Sequence, residues 1–414
     1  MTNSELHILH LFNDEKFVDG NIRLMKKAGI PSDYVILTDR DSLRFVSDPN
    51  VTVLPYQSAT CNELKKIIKD KGITHIGFHG LDRKGRFVDC LAQDASIRAK
   101  TKFIWFIFGY DLYNRWPPLR KNLYEPYTAA LLGKNFKGLK KRILDVLESP
   151  LVFKIGIRIP FEKRLPPSRF KSFLENYFPR TYLSRVRQMD YAAPVLPIEM
   201  QYVKQIDPSL KYLPFTYQLT LEHTFPELPL QHSAPDHHII IGNSNDPTNN
   251  HADIFHLLKN IPLHRRKIYV PLGYGSNMHY KEEIIRLGKS FFGKQFIPLT
   301  DFMPLDDYHR LLQNTHAAVY HHKRQQAIGN IIIMFYIGAK VFLHPESPTF
   351  DYFRSEGLHV FSSLEIDKDR LHTPLTPEMK QHNRREILRL YGKRAVLDRI
   401  KKFEQILRED MAVK

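Results

Sequence analysis

The chain has 414 residues, 43% of them hydrophobic and 25% charged, with a net charge of +17 and only two cysteines. That length suits two packed domains and is too long for one ordinary core. No charge-free run of about 18 apolar residues occurs, so no transmembrane helix is expected, and Cys61 and Cys90 show neither metal-ligand spacing nor a disulfide framework, which points to a reducing cytoplasm. The acidic start of the chain has no cleavable signal pattern and leads straight into a first strand, Leu6 to Phe12.

Strand and helix then alternate. Helix Val18 to Ala28 ends at Gly29, and strands follow at Tyr34 to Leu37 and Val51 to Leu54. Cys61 to Lys71 is an amphipathic helix stopped by Gly72. Thr74 to Phe78 and Phe103 to Phe108 are short apolar runs that end in polar clusters. Strands separated by helices of this length imply a parallel sheet with right-handed crossovers.

Between Lys134 and Arg187 there are fourteen Lys and Arg against four Asp and Glu, an excess of ten. Phe136, Leu139, Ile143, Leu144 and Leu147 share one helical face, flanked by Lys137, Lys140, Lys141 and Arg142. That pattern fits either an interfacial helix on an anionic membrane or a solvated basic face. Phe153, Phe161, Phe170, Phe173, Tyr177 and Phe178 could sit at the headgroup boundary. Pro194 to Pro235 is rich in proline and reads as a linker with some strand character.

A second alternating unit starts near His237. Strands are expected at His237 to Ile241, Lys267 to Pro271, Phe296 to Leu299, Ala317 to His321 and Val341 to Leu343. Helices are expected at Asn250 to Lys259, Tyr280 to Lys289, Leu305 to Asn314 and Gly329 to Ile337. Thr376 to Val413 is helical and charged, with Thr376 as cap and Pro377 in the first turn. The resulting domains are 1–232, carrying the basic insertion at about 134–187, then 233–374, then C-terminal helices 375–414 that pack back on the first domain.

Four blocks carry a resemblance. They are Phe78 to Gly80 (FHG), Phe103 to Tyr113 (FIWFIFGYDLY), Ile239 to His251 (IIIGNSNDPTNNH), and the run from Tyr269 to Tyr274 (YVPLGY) through Arg324 to Asn330 (RQQAIGN). In order and spacing they resemble the 4-acetamido-4,6-dideoxygalactosyltransferases of glycosyltransferase family 56. The resemblance implies an α/β fold of GT-B type, with two Rossmann-like doubly wound domains facing a central cleft. It implies transfer of a deoxy-acetamido sugar from a nucleotide-diphosphate donor such as dTDP-Fuc4NAc. The acceptor would be a polyprenyl-diphosphate-linked saccharide in cell-surface polysaccharide synthesis, as in enterobacterial common antigen. It also implies retention of anomeric configuration, and a lipid-linked acceptor places the protein peripherally on the inner face of the cell membrane, where the basic region 134–187 is read as the contact. The basic insertion and Asp190 to Ser233 depart from the family pattern, which bears on the acceptor. Met334 stands about where related two-domain transferases place a second glutamate.

Such a transfer needs the leaving diphosphate stabilised. Without a metal cofactor, which is not expected here, amide N–H groups, helix N-termini and cationic side chains must do it. Gly242, Asn243 and Ser244 follow a strand and precede a helix, with Asn249, Asn250 and His251 further on. They suit close approach of backbone to phosphate, or simply a turn with its cap. Arg324, Gln325, Gln326, Gly329 and Asn330 open a hydrophobic helix, where an arginine can grip phosphate bidentately. Gly273 and Tyr274 end another strand, and the tyrosine could stack on base or sugar. In the first domain His79 with Gly80, and Asp111 with Tyr113, sit at strand ends. His79 and Asp111 could remove a proton from the acceptor or, in a retaining enzyme, orient the sugar. Asp39-Arg40-Asp41 has the outline of a metal-binding Asp-x-Asp, but its central arginine opposes a cation. Charge alone also allows a nucleic-acid binder, though no RNA-recognition, OB or helix-turn-helix signature accompanies it. A catalytically inert sugar-nucleotide-binding subunit of the same fold is a further alternative.

Overall fold

A computed structural model describes residues 5–81, 84–133, 146, 150–156, 158, 178–217, 221, 237–275, 277–301, 303 and 305–412. The chain divides into two compact units, both discontinuous in sequence. The first takes residues up to Pro117, then Val146–Thr220 and Arg394–Lys414; the second takes Pro118–Asp145 and Leu221–Lys393.

The first unit is built on seven parallel strands: β1 (Ile8–Asn13), β2 (Ser32–Leu37), β3 (Thr52–Leu54), β4 (His75–His79), β5 (Lys102–Ile107), β6 (Tyr191–Pro194) and β7 (Lys211–Tyr212). Their order across the sheet is β3-β2-β1-β4-β5-β6-β7. The inner strands read as unbroken apolar runs because helices cover both faces. One core face gathers Ile8, Phe12, Ile36, Ile104 and Phe106 under helix Val18–Ala28. Onto the same core come Val396, Ile400, Phe403 and Leu407 of helix Lys393–Ala412, spaced to share one helical stripe. Lys211 and Tyr191 both bind Asp410 of that helix.

The second unit has six parallel strands: β8 (His238–Ile241), β9 (Ile268–Pro271), β10 (Phe296–Leu299), β11 (Thr315–Tyr320), β12 (Lys340–Leu343) and β13 (Val360–Ser362). The order is β10-β9-β8-β11-β12-β13. Successive strands run outward from β8 in one direction and from β11 in the other, so the chain reverses between them. That reversal leaves a crevice at the carboxyl ends of β8 and β11, where open α/β sheets hold ligands.

Two features depart from the sequence reading. Tyr191–Pro194 is a strand that the sequence reading did not place, and Lys211–Tyr212 is a strand inside the segment read as a linker with some strand character. β6 is four residues long and half alanine, with little intrinsic strand signal. It forms because Ala192 and Ala193 lie beside the bulky Trp105 and Phe106 of β5. Cys61 and Cys90 are disulfide-bonded, against the expectation of two reduced thiols. The helices Thr60–Asp70 and Gly85–Ala92 bring the two Cα atoms to 6.6 Å across 29 residues of sequence. Closing a loop of that length constrains the unfolded chain by about 3–4 kcal/mol. Cysteine usage therefore no longer argues for a reducing compartment. Among the described residues, no helix is long and apolar enough to cross a membrane. The amphipathic helix expected over Phe136 to Leu147 lies almost wholly outside the described residues, as do Phe161, Phe170, Phe173 and Tyr177.

Candidate functional site

The switch point of the second unit brings together two of the predicted clusters. β8 runs into Gly242, whose φ of +68° is unfavourable for any residue with a side chain. A Cβ there would also lie 2.5 Å from His251 Nε2. The loop is then folded on itself by Asn249. Its Nδ2 donates to Ser244 O at 3.1 Å and to Asp246 O at 3.0 Å, and its Oδ1 accepts from Asn243 N at 3.2 Å. Asn249 is thus a scaffold of the loop. Asn250, itself left-handed at φ +52°, leads into helix His251–Leu258.

The loop after β11 is laced to this one. Arg324 Nε donates to Thr248 Oγ1 at 3.2 Å, and its Nη2 lies 3.6 Å from Asp246 Oδ2. Gln326 Nε2 donates to Asn243 Oδ1 at 2.8 Å. Thr248 Oγ1 is 2.7 Å from both Gln326 Oε1 and Asp246 Oδ1, and its single proton serves one of them. Asn250 Nδ2 donates to His321 O at 3.0 Å. Arg324 is only 6% exposed, so its charge acts in a medium that weakens it far less than water. Beyond it, Ala327 is left-handed at φ +58° and opens helix Ile328–Ile337. A strained non-glycine residue at each helix start is held there by the surrounding bonds.

Several buried polar atoms here find no partner among the described residues: Asn245 Oδ1, His251 Nε2, His322 Nε2 and Gln325 Oε1. Buried polar atoms are nearly always hydrogen-bonded, so such a group of exceptions beside one crevice suits a polar ligand. The remaining second-unit candidates have mixed places. Gly273 passes so close to Asp301 that a Cβ would sit 2.5 Å from its carbonyl oxygen, which is a packing role. Tyr274 O accepts from Asn245 N at 2.7 Å, and the residue is 56% exposed. Asn330 Nδ2 donates to the Tyr308 hydroxyl at 2.8 Å, and Gly329 is half-buried in the first helical turn.

The first-unit candidates are core residues. His79 is fully buried, stacked between Phe12 at 3.5 Å and Phe106 at 4.1 Å. Its Nε2 bonds His10 Nδ1 at 2.9 Å and its Nδ1 bonds the Tyr217 hydroxyl at 3.1 Å. Asp111 is fully buried too, and accepts from Trp105 Nε1, Phe108 N and Leu81 N at 2.6–3.1 Å. Three donors on one carboxylate tie the turn after β5 to the end of β4. As placed, neither side chain reaches a surface where an acceptor hydroxyl could meet it. Gly80 (φ +79°) packs against the Tyr110 hydroxyl, and Tyr113 packs edge-on to Tyr202.

Residues 184–387 match the family model of 4-alpha-L-fucosyltransferase glycosyl transferase group 56. The matched segment belongs to glycosyltransferase group 56. Solved structures share the fold of this chain at low identity. A glycosyltransferase from Rickettsia africae is 10% identical with a TM-score of 0.58, covering 97% of this chain and 99% of that one. A trehalose-6-phosphate protein from E. coli, bound with UDP-2-fluoro glucose, is 10% identical with a TM-score of 0.60, over 97% and 99%. A trehalose 6-phosphate synthase from Burkholderia multivorans is 8% identical with a TM-score of 0.60, over 99% and 98%. The fold is GT-B, as the family resemblance implied.

The sequence reading of this glycosyltransferase passed over Thr248 and Asp246, which hold Arg324. Asp-Pro-Thr was a usable signal, since Asp246 caps its own turn by accepting from Thr248 N at 2.9 Å. His10, the partner of His79, carried no such local sign.

The histidines also set an acid limit. Burial lowers His10, His251, His321 and His322 from an ordinary 6.5 to about 3, and His238 and His316 to about 4. His79 is lowered further by burial and by the neighbouring His10 and Lys84. In the unfolded chain these rings take up protons near 6.5, so the unfolded state binds more protons below that pH. Stability is therefore complete above 6.5 and lost as pH falls towards 3 to 4, by up to about 2 kcal/mol per ring at pH 5. Thermal melts at pH 7.5 and 5.0 should differ by well over ten degrees. An unchanged midpoint would mean these rings are solvated.

Proposed function

We propose that the donor of this glycosyltransferase is a nucleotide-diphosphate sugar whose diphosphate sits at the carboxyl ends of β8 and β11. One observation carries this reading: the buried Arg324 guanidinium is held by Thr248 and Asp246 between two helix N-termini. Amide N–H groups at the start of helix Ile328–Ile337 and the guanidinium together suit an anion. The proposed transfer needs no metal at the diphosphate, because these groups meet its charge. The protein of the same fold that holds a UDP-sugar analogue supports a nucleotide sugar as the class of donor. The resemblance favours a deoxy-acetamido sugar on dTDP.

In the reaction the acceptor hydroxyl oxygen bonds to the anomeric carbon as the bond from that carbon to the β-phosphate oxygen breaks. The hydroxyl proton passes to the departing diphosphate. Such a route retains configuration and asks no base of His79 or Asp111, which suits their burial in the first-unit core. The proposed acceptor is a polyprenyl-diphosphate-linked saccharide, met on the inner face of the cell membrane. Val146, Leu151 and Ile155 are exposed apolar residues, the last two on helix Pro150–Gly156, within the segment of ten excess positive charges. Apolar side chains among cations suit an anionic membrane surface.

Calorimetry and thermal melts against nucleoside diphosphates and their sugars test the donor. Ligand at one hundred times its Kd stabilises by about 2.7 kcal/mol. dTDP and its sugars should raise the midpoint by several degrees. No response to any nucleoside diphosphate at millimolar concentration would end the proposal.

A further inference from the structure

β11 and β12 lie side by side with Tyr320 opposite Leu343, and the next residue on each is a histidine. The rings of His321 and His344 stand 4.7 Å apart between centroids at 65°. Glu125, which precedes helix Pro126–Leu131, brings a carboxylate to the same place. One donor atom from each of the three lies within 4.8 Å of the other two.

The relation of Glu125 to His344 is informative. His344 Nε2 is 3.3 Å from Glu125 Oε1, on a residue 1% exposed, an ion-pair distance without well-aligned hydrogen-bond geometry, and it has no aligned partner among the described residues. Two donor atoms so close, and not aimed at each other, converge on a third point. With bonds of about 2.0–2.1 Å, neighbouring ligands of a tetrahedral metal stand about 3.4 Å apart. His321 is oriented in the way metal ligands usually are. Its Nδ1 bonds the buried Ser363 hydroxyl at 2.7 Å, leaving Nε2 for the cluster.

We propose that Glu125, His321 and His344 form a three-ligand site for a borderline divalent metal such as Zn²⁺, which displaces Lys323 from Glu125. Lys323 Nζ is the cation held there in the structure, 2.9 Å from Glu125 and 2.8 Å from Glu346. It retains Glu346 when the metal takes Glu125. His344 Nδ1 accepts from Glu346 N at 3.1 Å, which puts the ring proton on Nε2. Metal binding moves that proton to Nδ1 and gives up this contact. Two imidazoles and one carboxylate leave a fourth position for water. The metal fastens residues 118–133 to the ends of β11 and β12. This role is separate from the donor diphosphate, and its test contains no donor.

The test uses the full chain stripped with EDTA, then titrated with Zn²⁺ alone. Metal content, calorimetry and thermal melts are read together. One Zn²⁺ per chain should bind with a rise in midpoint of several degrees. His321→Ala and His344→Ala should each lose that rise, and Lys323→Met, which removes the competing ammonium, should tighten binding about tenfold. Lys323→Met keeps all three ligands, so it tests the site even where the histidine variants fold poorly. Undiminished binding in both histidine variants, or unchanged affinity in Lys323→Met, would overturn the proposal. So would the lack of stoichiometric binding to the unaltered chain.

Discussion

Arg324→Ala is expected to lower kcat/KM about 100- to 1,000-fold while leaving the fold intact. The size follows from the place of the charge. A donor aimed at developing negative charge in a water-poor site is worth about 2.7–4 kcal/mol when removed. Arg324 is buried, and Thr248 already fixes its Nε, so little ordering remains to be done when the diphosphate arrives. The variant leaves Asp246 without its cation, but that side chain is 40% exposed and water can hold it. Loss of stability should therefore be small, about 1 kcal/mol. Arg324→Lys should recover only part of the activity, because an ammonium cannot span two phosphate oxygens as a planar fork does. The measurement is kcat/KM with calorimetric affinity for a nucleoside diphosphate, and a melt on each variant. Unaltered turnover and affinity in a folded Arg324→Ala would remove the diphosphate from this crevice. Thr248→Val should fall between, since it frees the guanidinium without deleting it.

The same contacts show what could be read from sequence. The strands of both sheets were legible wherever they are buried on both faces, because Ile239 to Ile241 or Phe103 to Ile107 can be little else. β6 and β7 were not, since four and two residues carry no periodicity and gain their place from β5. Gly242 and Arg324 drew notice through their positions at strand ends, which is a topological rule and needs no partner list. Thr248 and Asp246 were missed because their value lies in a contact with a residue about 76 positions on. The disulfide was missed for the same reason, as two helices must first pack before Cys61 meets Cys90. His79 was misread in a different way. A histidine beside a glycine at a strand end looks the same in sequence whether it faces a crevice or the core.

His79 supplies the second large effect, which falls on stability where that of Arg324 falls on turnover. His79→Ala should cost about 3–5 kcal/mol of stability, as for removal of an aromatic ring from a core. The ring fills a slot between Phe12 and Phe106, so truncation leaves a flat cavity that two stiff neighbours cannot close. It also strips partners from His10 Nδ1 and the Tyr217 hydroxyl, both buried, at about 1–3 kcal/mol for each group left unsatisfied. His79→Phe separates the two terms: it refills the slot but leaves both polar partners unmet. Its loss should be the smaller of the two. Urea unfolding gives the stabilities, and donor affinity with kcat, measured cold where both variants remain folded, gives the function. A catalytic base predicts normal unfolding with turnover lost a hundredfold or more, and that result would refute the core assignment. The structural role predicts lowered midpoints with near-normal turnover per folded molecule. The His10–His79 bond sharpens the argument, because two imidazoles 2.9 Å apart in an aromatic core cannot both be protonated. Burial and the nearby Lys84 ammonium, which donates to the His79 carbonyl at 2.6 Å, hold His79 far below the pKa a general base at neutral pH requires.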